Sequence, residues 1–203
     1  MRAFPPLPDV AEAPPSLLDG HLWLQEYVAG GALRFQLRES GLLVFGDADR
    51  EFENVDPPLG YREAVRHVRE RFDRDALRAA LDDVEAATFY GVATRNEGET
   101  YDWDALPPFL GFDVHDATDD RFLPPDAVEQ LYERLGLAPL NAVVKERRGA
   151  DFDPSDYEVP ESAWRDGPAA GVLVRNKTGD RAKLLADGES SAVDPETDAA
   201  ALA

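Results

Sequence analysis

Apolar residues recur at Tyr61, Ala64, Val65, Val68 and Phe72, the i, i+3, i+4, i+7 and i+11 positions of one helix face, which predicts an amphipathic helix over 59–72. A shorter helix follows, with Leu77, Leu81 and Val84 on its buried side. A third opens at Pro124-Pro125-Asp126, buries Val128, Leu131, Tyr132 and Leu135, and stops at Gly136. Strand-type patterning covers His21–Val28 and Ala32–Leu37, with Gly30-Gly31 between them as a hairpin-turn signal, and then Leu42–Phe45. Ala87–Val92 and Phe109–Val114 are apolar enough for buried strands, and Ala142–Lys145 predicts a short one. Gly171–Arg175 and Arg181–Leu185 are the last strands, joined by a turn over Asn176-Lys177-Thr178-Gly179-Asp180. Helices in blocks among mostly antiparallel strands define an α+β class with flanking helices, not a doubly wound sheet. Residues 1–186 are expected to form one domain, with 1–16 as an extended proline-rich leader. The segment 149–169 reads as a loop and 187–203 as a disordered acidic tail. No internal repeat is visible.

Composition narrows the chemistry. The chain has 203 residues, 43% of them hydrophobic, and no cysteine, which excludes disulfides, iron–sulfur clusters and thiol nucleophiles. His21, His67 and His115 are too scattered for a zinc site. The leader lacks the apolar run and cleavage pattern of a signal peptide, and no stretch approaches the ~20 apolar residues of a membrane span, so a soluble cytoplasmic protein is expected. Asp and Glu total 41 against 21 Lys and Arg, a formal net charge of −20, and only Lys145, Lys177 and Lys183 are lysines. An acid-rich, lysine-poor, arginine-dependent chain is what a salt-in halophile makes, because at molar salt the Debye length is ~3 Å and carboxylate repulsion is screened. Such a surface gains little from counterion release on RNA. RNA binding would rest on stacking, hydrogen bonds and a local arginine patch.

Glycine-rich phosphate loops are absent. A different series of short motifs is present. His21-Leu-Trp-Leu-Gln-Glu26-Tyr27-Val28-Ala29-Gly30-Gly31-Ala-Leu-Arg34-Phe35 comes first, followed by Leu43-Val44-Phe45-Gly46-Asp-Ala-Asp-Arg50 and Thr88-Phe89-Tyr90-Gly91-Val92. Then come Tyr101-Asp-Trp-Asp, Leu106-Pro-Pro-Phe109, Leu110-Gly111-Phe112-Asp113-Val114, Val159-Pro160-Glu161-Ser162-Ala163-Trp164, Ala169-Ala170-Gly171-Val172-Leu173-Val174-Arg175 and Arg181-Ala182-Lys183-Leu184. In order and spacing, residues 21–185 resemble the nucleotide-binding domain of ATP-dependent RNA ligases, a covalent nucleotidyltransferase fold. The family's first motif is Glu-Lys-x-Asp-Gly. Its later motifs are Phe-x-Gly-Glu, Phe-Asp-[Ile/Val], Glu-Gly-Val-Val-x-Arg and a basic strand that meets the α-phosphate. The resemblance implies ATP and Mg²⁺ as cofactors. It also implies nucleotide contacts from Arg50, Phe112, Val172, Arg175, Arg181 and Lys183, and RNA or a protein as further partner.

The departures matter more than the matches. Tyr27 stands at the position of the nucleophilic lysine, and no lysine precedes Lys145, so no shift of alignment recovers one. Ala29, Val92 and Ala170 replace three acids that organise ribose, metal and lysine. Phosphoryl transfer depends on positioned charge and metal ions. The resemblance therefore implies a catalytically degenerate domain that keeps nucleotide or RNA binding or serves as a scaffold. Two alternatives stand beside it: an active ligase with non-standard catalytic residues, and a structural or regulatory protein with an occluded pocket.

Each candidate also has a plain structural role open to it. Tyr27 is a phenolate nucleophile or a pocket filler, and its ordinary pKa of ~10 favours the filler. Lys183 binds a phosphate or ends a strand in solvent. Arg50 and Arg175 serve the nucleotide or the fold, and Phe109 and Phe112 stack on a base or pack the core. Asp113 orients a pocket group or caps a turn. Glu97, Glu99, Asp102 and Asp104 are a metal cluster or a solvated face.

Overall fold

The computed structural model describes residues 1–52, 57–94 and 101–186. The expected acidic tail and Glu97 and Glu99 lie outside the described residues. Two antiparallel sheets face each other. The first runs β7 (Ala142–Arg148), β1 (His21–Glu26), β8 (Gly171–Asn176), β9 (Arg181–Leu185). The second runs β3 (Leu43–Gly46), β2 (Gly31–Leu37), β4 (Ala87–Ala93), β5 (Phe109–Asp116), β6 (Arg121–Phe122).

Alternation decides which face each side chain takes. Leu33, Phe35 and Leu37 of β2 and Phe89 of β4 point toward α1 (Arg62–Arg71), α2 (Arg74–Ala80) and α3 (Pro125–Arg134), where they join Val65, Val68, Leu77, Val128 and Tyr132. Phe35 is central there, stacked on Phe89 at 4.8 Å and 8° and met edge-on by Phe72 at 5.2 Å. The intervening residues Ala32 and Arg34 of β2 pair with Val92 and Tyr90 of β4 and take the opposite face, toward the first sheet.

Four expectations change. The Gly30-Gly31 pair is not a hairpin: β1 and β2 belong to different sheets, and the chain crosses between them. Glycine is needed at 30 for close approach, because a Cβ there would lie 2.5 Å from both the Ala93 carbonyl and Val92 Cγ1. The second helix ends at Ala80, and Val84 belongs instead to a one-turn helix whose cap, Asp83, accepts from the Glu85 N–H at 2.8 Å. Strand β7 runs three residues past Lys145 and pairs with β1, while the short β6 was not anticipated. The leader is not simply extended: Val10–Glu12 and Pro15–Leu18 are helical turns.

The leader also has a definite path. Val10, Ala13, Leu17 and Leu18 cover the outer face of the first sheet, against Leu22, Leu24, Val172, Val174 and Ala182. Asp9 bridges Lys183 at the edge strand β9. Residues ahead of Asp9 enter the space between the sheets, where Phe4 and Leu7 pack. The chain thus wraps the β9 edge and protects it from pairing elsewhere.

Candidate functional site: the cleft between the sheets

Strand β5 carries a bulge. Tyr90 pairs with Asp113 and Gly91 with Gly111, so Phe112 is the extra residue. A bulge re-aims side chains. Here it lets the successive residues Phe112 and Asp113 both serve the cleft, while Val114 turns back to the helical core. Gly111, just before it, lies against the Tyr132 ring, which a Cβ would meet at 2.3 Å.

Asp113 is fully buried and joins two arginines from the other sheet. Arg175 Nη2 pairs with its Oδ1 at 2.8 Å, and Arg181 Nη1 pairs with its Oδ2. Arg175 also donates to the Phe112 carbonyl and to Gln25 Oε1, and Arg181 lies 3.9 Å over the Phe122 ring. Burial pushes both guanidiniums down to about 10, which leaves them charged at neutral pH. Among the described residues the buried charge inverts the composition. Arg34, Arg175, Arg181 and Lys183 face only Glu26 and Asp113, in a chain with 41 acids and 21 bases.

The leader closes the cleft. Phe4 sits edge-on to Tyr90 at 5.4 Å and to Phe112 at 5.6 Å. Leu7 packs beside it against Tyr27, Ala32 and Ala170. The Arg2 carbonyl accepts from Arg34 Nη1 at 3.0 Å and from the Tyr90 hydroxyl at 3.3 Å. Burial raises that hydroxyl to about 12, so it remains a donor. The Arg2 side chain pairs with Asp120 at 2.5 Å and donates to His115 Nε2 at 2.7 Å. Burial, and then the Arg2 charge, lower the His115 pKa, which keeps its ring neutral and able to accept.

The residues singled out in the sequence divide accordingly. Tyr27, Ala29, Val92, Phe112, Ala170 and Lys183 gather at the cleft, with Tyr27 only 4% exposed. Ala29 donates its N–H to the Tyr101 hydroxyl at 3.2 Å. Val172 does not join them: it faces the outer cluster, and its neighbour Leu173 takes the cleft side, opposite Lys183. Arg50 stands apart on an exposed turn, tied to Asp47 at 3.0 Å. Phe109 packs in the helical core. Asp102 accepts from the Asp104 and Ala105 N–H groups as a turn cap, and no three His, Asp or Glu side chains among the described residues form a metal-holding group. Sequence reasoning missed Arg2, Phe4, Leu7 and His115, and it quoted Arg34 without giving it a role. The available signal was two large apolar residues, Phe4 and Leu7, set among Pro5, Pro6 and Pro8.

No protein-family model matches the chain, and no curated protein matches it. Solved structures do. A Naegleria gruberi RNA ligase variant with ATP and Mn superposes with a TM-score of 0.68 at 11% identity, over 92% of this chain and 56% of that one. A variant of the same ligase with AMP and Mn gives 0.64 at 12% identity over 92% and 56%. An archaeal ATP-dependent RNA ligase gives 0.62 at 15% identity over 92% and 48%. The fold is that of the nucleotidyltransferase domain of ATP-dependent RNA ligases. The chain spans about half the length of these ligases.

Proposed function

We infer that this chain is a ligase-fold domain that does not form an adenylate and works instead as a binding scaffold. One observation carries the reading. Tyr27, which the motif resemblance sets at the nucleophile position, is buried in an apolar cluster with Ala32 and Ala170 and covered by Phe4 and Leu7. The Naegleria gruberi ligase variants of this fold carry ATP or AMP together with Mn. The groups present in this cleft do not fit a divalent metal. Ala29, Val92 and Ala170 offer no oxygen ligand from their side chains, and a hard cation needs carboxylates or carbonyls in an ordered shell. A triphosphate is poorly served as well, because two of the four buried bases, Arg175 and Arg181, are committed to Asp113. No phosphoryl-transfer step is therefore assigned to these residues.

Among the described residues no helix is long and apolar enough to cross a membrane, and the scaffold's partner is proposed to be RNA or a protein. The test is calorimetric titration of the full chain with ATP and Mn²⁺ at high salt. Absence of saturable binding agrees with the scaffold reading, whereas a saturable isotherm lost on Lys183→Ala contradicts it.

A further inference from the structure

Residues 2–8 meet the cleft as an extended peptide meets a receptor. Main-chain bonds hold the segment whatever side chains it carries: to the Arg2 carbonyl from Arg34 and Tyr90, from the Phe4 N–H to the Ala48 carbonyl at 3.2 Å, and from the Lys183 N–H to the Pro8 carbonyl at 2.9 Å. Three side chains then select. Phe4 fits edge-on against two aromatic rings, Leu7 packs against Tyr27, Ala32 and Ala170, and Arg2 reaches Asp120 and His115. Backbone bonds for affinity with pockets for alternate side chains is how strand-like peptides are recognised. Pro5, Pro6 and Pro8 fix their own φ and push Phe4, Pro5 and Leu7 toward extended backbone. The free segment is thus partly ordered already, which lowers the entropic cost of docking.

We propose that the cleft between the sheets is a peptide-binding site, and that its occupant is this chain's own residues 2–8, held as a tethered and exchangeable ligand. The ligand class is a proline-rich peptide with an arginine, an aromatic residue two positions on and an aliphatic residue three further. The site goes beyond the scaffold reading and stands without it, since a cleft that took ATP would be closed by the same segment. Residues 9–18 stay anchored at β9 and on the outer face, so a released segment remains at an effective concentration on the order of millimolar.

The test uses the full chain and a fluorescein-labelled peptide of residues 1–9, followed by anisotropy. The Phe4→Ser/Leu7→Ser full chain should bind the peptide at least about tenfold more tightly than the unmodified chain does. A peptide with Phe4→Ala should lose that binding. A double variant that unfolds as cooperatively as the unmodified chain, yet takes up no peptide, overturns the proposal. Amide exchange of the unmodified chain decides the matter if the variant does not fold. The Phe4 and Lys183 amides should exchange at least about tenfold faster than those of β4, through an opening that leaves the sheet intact. Exchange of both sets at the same rate overturns the proposal. Neither readout moves with adenylate formation, so failure here is separable from failure of the scaffold reading.

Discussion

The ring of Phe4 meets that of Phe112 edge-on, with centroids 5.6 Å apart and planes at 64°. It thereby covers the aromatic residue that the ligase resemblance assigns to the nucleotide. A leader side chain thus occupies the cleft face of Phe112, and the cleft is closed from within.

If residues 2–8 dock on a core that is complete without them, Phe4→Ala should cost no more than about 1.5 kcal/mol of global stability. Phe35→Ala should cost about 3–5 kcal/mol, because Phe35 is fully buried between Phe89 and Phe72. Urea denaturation of both variants at one salt concentration checks this. Equal costs would make the leader part of the core.

Asp113 carries the electrostatics of the cleft. Asp113→Ala leaves two buried guanidiniums without their carboxylate and should cost about 3–5 kcal/mol or prevent folding. Glu129→Ala, which breaks the partly exposed pair with Lys145, should cost less than about 1 kcal/mol. Thermal melts of the two variants should differ accordingly.

The leader contact should respond to pH. The His115 pKa lies below its ordinary value, so the native state prefers the neutral ring. Its contribution is fully present above about 6.5, the unfolded value, and is lost as pH falls through the lowered native value. Protonation places a cation beside Arg2, with Asp116 and Asp120 only partly offsetting it. His67 is also lowered, by burial and then by Arg71, so the comparison must be with His115→Gln. Between about pH 7 and pH 5 the unmodified chain should lose more stability than that variant. Identical pH profiles would remove His115 from the account.

Much of the architecture was legible because its signals are local. The periodicity through Tyr61, Val65, Val68 and Phe72 marks a helix face wherever it occurs, and the α1 region follows it. Gly30 misled because glycine serves a tight turn and a close approach equally well, and only the position of Ala93 tells them apart. Val172 takes the outer face and Leu173 the cleft face, a distinction of one residue that the motif alone does not make. The bulge at Phe112, which brings Asp113 to the cleft, leaves no mark in composition. Neither does the return of residues 2–8 to β4 and β9, since contacts between Arg2 and Asp120 or Tyr90 join positions far apart in the chain.

Salt should matter to the whole domain. With a net charge of −20, dilution from the ~1 M regime to ~0.1 M restores carboxylate repulsion, and the thermal midpoint should fall. A midpoint that is high and unchanged across that range would contradict a halophilic origin for the composition.

The most direct test of the central claim is covalent. The full chain is incubated with labelled ATP and Mn²⁺ or Mg²⁺ at ~2 M KCl, where surface charge is screened, and is then examined by denaturing gel and intact mass. With Tyr27 buried where the motif resemblance sets the nucleophile, and Ala29, Val92 and Ala170 beside the cleft, the label should stay free and the mass unchanged. A mass increase of one AMP, mapped to any side chain, would contradict the account and make this an active nucleotidyltransferase.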